Sequence, residues 1–176
     1  MKTKIFIDKA ESRDIISTNF IVLVVIKEEV MRLSTRTRYG TRLMLDLAQN
    51  YGKGCVLLKD IAKRQGISEK YLSQIVLLLK SRGLVRSFRG SKGGYVLGRD
   101  PSQVTLKEVI VALEGDINII DCLKDEKVCS RVSFCGTRNL WQTIGSSISS
   151  VLEKLTLQDL VSQHKISERK LLMYSI

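Results

Sequence analysis

The sequence of 176 residues is poor in residues that several classes of protein require. It has four cysteines, too few for a disulfide-stapled scaffold. Its longest unbroken apolar run, Phe20 to Ile26, is far shorter than the roughly 20 residues that span a bilayer, and the N-terminus lacks the layout of a secretory signal. These absences predict a globular, cytoplasmic protein without a membrane partner, in which thiols stay reduced.

Motifs of catalysis are missing as well. With His164 as its one histidine, the sequence offers no nucleophile with a plausible histidine partner, and it contains no Cys-x-x-Cys pair. The glycine-rich stretch RGSKGG at residues 89–94 matches neither the P-loop nor the dinucleotide-binding pattern. The sequence therefore predicts a binding protein rather than an enzyme.

Positive charge is confined to one part of the chain. The net charge is +11, and residues 31–100 contain fifteen Lys/Arg against four Asp/Glu. Residues 1–30 balance at five and five, and residues 101–176 at nine and nine. A basic region between neutral neighbours indicates a polyanionic partner. A nucleic acid is favoured over an anionic membrane because no basic amphipathic helix with an aromatic face occurs. Together with the motifs below, this charge predicts double-stranded operator DNA as the partner.

The first thirty residues differ from the rest of the chain. They have no turn chemistry and no clean period, and the codons that KEEV implies form a purine-rich run just before Met31. We interpret residues 1–30 as a translated leader and Met31 as the true start; a genuine N-terminal extension is the alternative.

Residues 31–100 have the pattern of a winged helix-turn-helix. Apolar residues at helical spacing predict a first helix over residues 35–50, and a second over residues 59–65 ends at Gly66. Ser68 is a good N-cap for a third helix that runs to Gly83. Only GIS separates the last two helices, and two short β-prone runs then enclose RGSKGG, which predicts a β-hairpin wing.

The C-terminal third predicts a linking helix, a cysteine loop and a partner helix. Thr105 and Glu108 form a capping box before a helix that ends near Gly115. Further on, apolar residues recur in steps of three and four and form a seam on one helix. Packing against the chain's own body is the alternative to a homodimer, which is favoured because a helix-turn-helix usually reads a two-fold site in two copies. The seam residues are Trp141, Ile144, Ile148, Val151 and Leu155.

The predicted fold class is therefore mainly α with a small β component (α+β). It combines a winged helix-turn-helix, its β-hairpin wing and a long C-terminal dimerisation helix. The predicted segments are the leader (1–30), the DNA-binding domain (31–100), the linking helix with the cysteine loop (101–136), the dimerisation helix (137–160) and a polar tail (161–176).

The candidate DNA-binding residues lie on the third helix and the wing. A helix in the major groove reads base edges with exposed side chains near its N-terminus, and Gln74 can pair bidentately with adenine. Glycines let the wing approach a backbone closely and direct an arginine into a narrow minor groove. The candidates are Lys59, Ser68, Lys70, Tyr71, Ser73, Gln74, Arg89, Ser91, Lys92 and Gly93.

Three of the four cysteines, Cys122, Cys129 and Cys135, share one polar stretch. The residues between them are too polar to bury all three, whereas Cys55 fits a buried structural cysteine. Gaps of six and five residues do not suit the close pairs of a zinc knuckle. A loop with wider gaps can wrap an iron-sulfur cluster, for which thiolates are natural ligands. Zinc remains an alternative ligand of the cysteines. A bare thiol sensor is another alternative, because basic neighbours lower the pKa of a thiol.

Two stretches resemble the Rrf2 family of bacterial winged-helix transcription regulators. They are MRLSTRTRYGTRLMLDLA and IAKRQGISEKYLSQIVLLLKSRGLVRSFRGSKGGYVLGRDP, and the resemblance extends over about residues 31–160. It implies a homodimer in which Arg89 enters the minor groove and Tyr71 and Gln74 lie in the DNA-contacting helix. It also implies that the three loop cysteines bind an iron-sulfur cluster, whereas cysteine-metabolism regulators of the family lack these cysteines. We expect 2Fe-2S rather than 4Fe-4S as the cofactor.

The sequence departs from the family pattern at three positions. Ser73 replaces a glutamate that helps one relative choose between two operator types. Arg138 stands where a relative supplies a histidine ligand, and Arg38 where another supplies an aspartate ligand. The resemblance therefore leaves the fourth ligand of a cluster open. The predicted function is a DNA-binding transcription regulator modulated by an iron-sulfur cluster, and the alternative is a cluster-free, thiol-based redox-sensing regulator.

Overall fold

The structure is a computed structural model that describes residues 34–90, 92–117 and 119–173. The predicted leader and Ser91 lie outside these ranges. Within them, no helix has the length and apolar character needed to cross a membrane. The helices are α1 (Thr35–Gln49), α2 (Leu58–Gln65), α3 (Glu69–Ser81), α4 (Leu106–Glu114), the single turn α5 (Asp121–Lys124), α6 (Arg138–Lys154) and α7 (Leu157–Met173), and the strands are β1 (Val85–Phe88) and β2 (Gly94–Leu97).

The helix-turn-helix consists of α2, a three-residue turn and α3. α2 ends at Gly66, whose φ of 62° is the left-handed conformation that glycine adopts without strain. The side-chain oxygen of Ser68 accepts a hydrogen bond from the backbone N–H of Tyr71 at 3.3 Å and so caps α3. The predicted turn, cap and helix order are confirmed.

The wing is the antiparallel hairpin β1–β2. Its register runs from Val85 opposite Leu97 to Phe88 opposite Gly94, and the Gly93 N–H closes the turn by donating to the Gly90 carbonyl at 2.9 Å. Val56 adds an isolated bridge on the other side of β2: it exchanges backbone hydrogen bonds of 2.9 and 2.8 Å with Tyr95. The wing is therefore tied to the chain that leads into α2.

One hydrophobic core joins the helix-turn-helix to the C-terminal elements. α1 packs against α2, α3, α4, α7 and β2, so the predicted segments 31–100 and 101–136 share their interior. The buried apolar side chains of α1 and its partners include Leu43, Met44, Leu47, Ile61, Leu72, Ile75, Leu79, Leu97, Val109, Leu113, Leu157 and Val161. Cys55 is half-buried rather than buried, which corrects the expectation of a core cysteine.

The predicted dimerisation helix, residues 137–160, is divided in two. α6 ends at Lys154 because Leu155 is extended, with φ −91° and ψ 129°, and its carbonyl accepts a hydrogen bond from the N–H of Leu106 at 2.8 Å. Thr156 and Asp159 then cap α7 reciprocally. Leu155 is therefore not part of a continuous seam. Residues 161–173 of the predicted polar tail belong to the helix α7.

Candidate nucleic-acid interface and thiol loop

One face of α3 points away from the core. Lys70 and Gln74 are exposed, Ser73 is half-buried beside them, and Leu77, one turn further on, is 64% exposed. The residues on the opposite side of the helix are buried. The helix therefore presents predicted reading residues on one outward face, as a recognition helix does.

Three other candidates on α3 also have structural contacts. The Ser68 oxygen serves as the helix cap, and the Ser73 hydroxyl donates to the carbonyl of Glu69 at 2.9 Å. The ring of Tyr71 is half-buried and meets the ring of Tyr39 edge to face, with centroids 5.9 Å apart. These contacts orient the N-terminal turn of α3. Ser68, Lys70 and Gln74 are exposed, and the oxygen of Ser68 is used as the helix cap.

The wing carries exposed cations at its tip. Arg89 and Lys92 are exposed on either side of the turn, and Lys59 is exposed on α2. Gly93 has a structural reason to be glycine, because a Cβ there would lie 2.4 Å from the carbonyl oxygen of Phe88. Ser91, the remaining wing candidate, lies outside the described residues.

A buried carboxylate that the sequence interpretation did not single out joins α1 to the end of α2. Asp46 is 1% exposed and accepts bidentate hydrogen bonds from the guanidinium of Arg64, at 2.9 and 2.6 Å, and a third from Gln65 at 3.1 Å. These contacts raise the pKa of Arg64. Arg42, one turn earlier on α1, donates to both the side chain and the backbone carbonyl of Gln65. The position of this aspartate within the apolar face of α1 is the sequence signal that could have indicated a buried, paired carboxylate.

The three loop cysteines lie in or directly after three short helical turns between α4 and α6. Cys122 lies in α5, Cys129 follows the turn Glu126–Val128, and Cys135 follows the turn Val132–Phe134. All three are half-buried free thiols. Their side chains are therefore accessible to a ligand or an oxidant.

The donor types fit an iron-sulfur cluster, but their arrangement in this structure does not gather them. Thiolates are the usual ligands of iron-sulfur clusters. Across the described part of the chain, however, no three His, Cys, Asp or Glu side chains are placed so that they could hold a metal ion. The three cysteines share a loop without meeting at one point. His164 lies on α7, where its Nδ1 is 3.1 Å from the Nε2 of Gln49.

Arg138, the first residue of α6, ties the cysteine loop to that helix. Its guanidinium donates to the carbonyl of Cys122 and to the carboxylate of Glu126, both at 2.9 Å. At the other end of the loop, hydrogen bonds from the side chain and backbone of Thr137 lower the pKa of the Cys135 thiol, and the Arg138 charge adds to this effect. The thiolate of Cys135 is thus favoured relative to that of an ordinary cysteine.

These elements occur together in a known family. A family model described as an iron-dependent transcriptional regulator, Rrf2, matches residues 33–163. The chain belongs to the Rrf2 family. As a member it is a DNA-binding transcription regulator, and the expectation of a protein that is not an enzyme is confirmed.

The Rrf2 relatives include the regulators CymR and IscR. CymR of Bacillus subtilis is 42% identical over 75% of this chain and 91% of its own length. Its solved structure, described as that of the global cysteine regulator, has a TM-score of 0.65 and 40% identity over 76% of this chain and 98% of that chain. IscR of Yersinia pseudotuberculosis is 40% identical over 78% of this chain and 84% of its own length.

A solved Rrf2 structure, T. potens IscR, has a TM-score of 0.63 and 38% identity over 76% of this chain and 88% of that chain. The winged-helix fold predicted from the sequence is therefore confirmed. Since the CymR and IscR relatives have nearly equal identities, overall similarity does not choose between their branches of the family.

Proposed function

We propose that this chain forms a homodimer that binds operator DNA through two winged helices, and that an iron-sulfur cluster held by Cys122, Cys129 and Cys135 modulates this binding. The observation that carries the cluster proposal is the placement of three accessible thiols on one loop that leads directly into α6. The family description, an iron-dependent transcriptional regulator, supports iron as the metal. We propose the cytoplasm as its location, since a reducing compartment keeps the four thiols free.

The DNA half of the proposal relies on α3, the wing and the charge of residues 31–100. Exposed Lys70 and Gln74 are suited to base edges in the major groove, and Arg89 and Lys92 to the backbone or the adjacent minor groove. Lys59, Ser68, Tyr71, Ser73 and Gly93 complete the proposed set among the described residues.

An operator selected from random duplexes tests this part. Arg89→Ala is expected to weaken operator binding by about 1–3 kcal/mol in an anisotropy titration. Arg86→Ala is the matched control because Arg86 is also an exposed arginine of the wing, on β1 rather than at its tip. Equal affinities of the Arg89 variant and the unchanged protein would refute the role of Arg89.

The cluster half relies on the three cysteines as ligands, with 2Fe-2S as the proposed form. A bound cluster would supply sensitivity to iron, redox state or nitric oxide. Because the thiols do not meet in this structure, holding the cluster requires a different arrangement of the loop. Arg138 connects that loop to the first turn of α6, so a rearranged loop changes the contacts of the helix that we propose spaces the two DNA-binding domains.

Anaerobic purification with an absorption spectrum and iron and sulfide analysis tests the cluster. Serine at Cys122, Cys129 or Cys135 is expected to abolish visible absorption, whereas Cys55→Ser, the matched control outside the loop, leaves it unchanged. Unaltered cluster content in all three loop variants would overturn the assignment.

A cluster-free thiol sensor is the second candidate. The lowered pKa of Cys135 favours it, because a larger thiolate fraction reacts faster with oxidants. Protein without iron or sulfide whose operator affinity changes on peroxide treatment would support this candidate over the cluster.

A further inference from the structure

Leu77 is an apolar side chain in the middle of the outward face of α3. It follows Lys70, Ser73 and Gln74 at steps of three and four residues, so these side chains share one face of the helix. Leu77 is 64% exposed, whereas the four core-facing apolar residues of the same helix are at most 1% exposed. Packing within the described part of the protomer therefore does not explain a leucine at this position.

The surroundings of Leu77 are those of a surface that meets DNA. On the same face, Gln74 lies one turn before Leu77 and Lys70 two turns before it; both are exposed, the first able to donate and accept hydrogen bonds and the second positively charged. The helix belongs to the region that holds the whole positive excess of the chain. A helix that docks on a protein usually presents several apolar residues along one stripe. This face is mostly polar, with Leu77 on it and the less exposed Leu78 at its edge, and such a face suits a polar partner with an isolated apolar group.

The major groove of DNA offers one such group, the 5-methyl of thymine. We propose that Leu77 contacts a thymine methyl and makes operator choice depend on that base pair. This inference rests on the proposed function, in which α3 lies in the major groove. It adds a specificity-determining residue to the candidates named from the sequence.

The geometry of α3 limits where this thymine lies. Gln74 and Leu77 are three residues apart, a rise of about 4.5 Å along a helix, and successive bases are about 3.4 Å apart along one strand. Gln74 is suited to adenine. The thymine is therefore expected within about two base pairs of the adenine that Gln74 contacts.

The proposed contact between Leu77 and the thymine methyl is large enough in free energy to be measured as a change in affinity. Burying one methyl-sized group contributes about 0.8 kcal/mol, which corresponds to about a fourfold change in affinity at about 1.4 kcal/mol per tenfold. Replacing the right thymine by deoxyuridine removes only the methyl group and leaves the base pair. We expect this replacement to weaken binding about fourfold in each half-site.

The experiment uses the full chain and an operator that it selects from random duplexes. Each thymine is replaced in turn by deoxyuridine, and affinities are measured by fluorescence anisotropy for the unchanged protein, Leu77→Ser and Leu78→Ser. Leu78 is the matched control, since it lies on the same helix at the edge of the face and is 37% exposed. Circular dichroism checks that each variant is folded.

The proposal requires that one thymine per half-site is sensitive in the unchanged protein, that the Leu78 variant keeps this sensitivity and that the Leu77 variant loses it. Operator binding that no deoxyuridine replacement weakens would overturn the role of Leu77 and leave the proposed function standing. Full sensitivity in the Leu77→Ser variant would overturn that role as well. If the chain selects no duplex at all, the proposed function fails and this inference fails with it.

Discussion

Asp46 shows how a single residue positions the proposed DNA-binding face. Its carboxylate is buried on α1 and bound by Arg64 and Gln65 at the end of α2. Arg42 holds the same turn through the carbonyl of Gln65, and the ring of Tyr39 contacts that of Tyr71 on α3. Tyr39, Arg42 and Asp46 lie on one face of α1 and fix the turn from which α3 starts.

We expect the two partners of this ion pair to differ in their effect on stability. Arg64→Met leaves a buried carboxylate without its guanidinium, so we expect a loss of about 3 kcal/mol in the free energy of unfolding. Asp46→Asn removes the buried charge, and the guanidinium of Arg64, whose side chain is 47% exposed, is then solvated by water. We expect the free energy of unfolding to fall by about 1–2 kcal/mol. Urea unfolding measures both.

Arg99→Met is the control for this comparison. It breaks an ion pair with Glu108 whose side chains are 43% and 40% exposed, and such pairs contribute about 1 kcal/mol or less. A loss for Arg64→Met no greater than that for the control would contradict the role of the buried carboxylate.

The thiol of Cys135 gives a second prediction at this scale. Hydrogen bonds from Thr137 lower its pKa, so more of it is thiolate at neutral pH than for an ordinary cysteine. In Thr137→Val, which loses the side-chain hydrogen bond, we expect slower alkylation of Cys135 and a pH profile of its rate displaced to higher pH.

Mass spectrometry of the Cys135 peptide after timed iodoacetamide treatment of metal-free protein measures this rate. Thr143→Val, in the middle of α6, is the control and should leave it unchanged. An identical pH profile in the Thr137 variant would show that the hydrogen bond does not activate this thiol.

At the scale of elements, the break between α6 and α7 gives the C-terminal helices different environments. Thr156 stops one helix and caps the next, and Leu157 and Val161 then enter the core beside α1. By contrast, none of the 17 residues of α6, all within the described ranges, is buried. The start of α7 is thus part of the protomer's interior, whereas α6 keeps its apolar side available.

Leu157→Ala tests this placement of α7. Leu157 is fully buried, so truncation is expected to lower the free energy of unfolding by about 2–5 kcal/mol. Ile166→Ala is the matched control, an aliphatic residue of the same helix that is 54% exposed; we expect its change to stay within about 0.5 kcal/mol. Similar small losses in both variants would mean that α7 does not pack as described.

At the scale of the whole molecule, α6 connects the proposed sensor to the proposed dimer. Its half-buried Trp141, Ile144 and Ile148 line one side, and Arg138 at its first turn holds the cysteine loop. An ion pair between Lys107 and Glu153 ties its last turn to α4. A change in the loop can therefore reach the partner subunit through one helix.

Ile148→Glu is expected to convert the dimer to a monomer, because it places a charge in the apolar side of α6. Ser150→Glu adds the same charge on the opposite side of the helix, where the side chain is exposed, and should remain dimeric. Sedimentation equilibrium at micromolar protein distinguishes the two. A dimeric Ile148 variant would place the subunit contact elsewhere.

Local chemistry made most of the fold predictable from the sequence. Helical spacing and the Ser68 and Thr105 caps specify α3 and α4, and the glycine-rich turn specifies the wing, because each signal acts between residues close in the chain. The charge of residues 31–100 and the grouping of three cysteines are likewise properties of the sequence alone. The DNA-contacting and cluster-binding roles of these residues remain predictions.

Only the tertiary structure decided what distant residues do to one another. The seam from Trp141 to Leu155 looked continuous, but the hydrogen bond between Leu155 and Leu106 ends α6 and sends α7 into the core. Arg138, which stands where a relative supplies a histidine ligand, binds the loop through the carbonyl of Cys122 and the carboxylate of Glu126. These contacts are hydrogen bonds and ion pairs between residues that are distant in the sequence. The spacing of residues along the chain does not determine which of them come into contact.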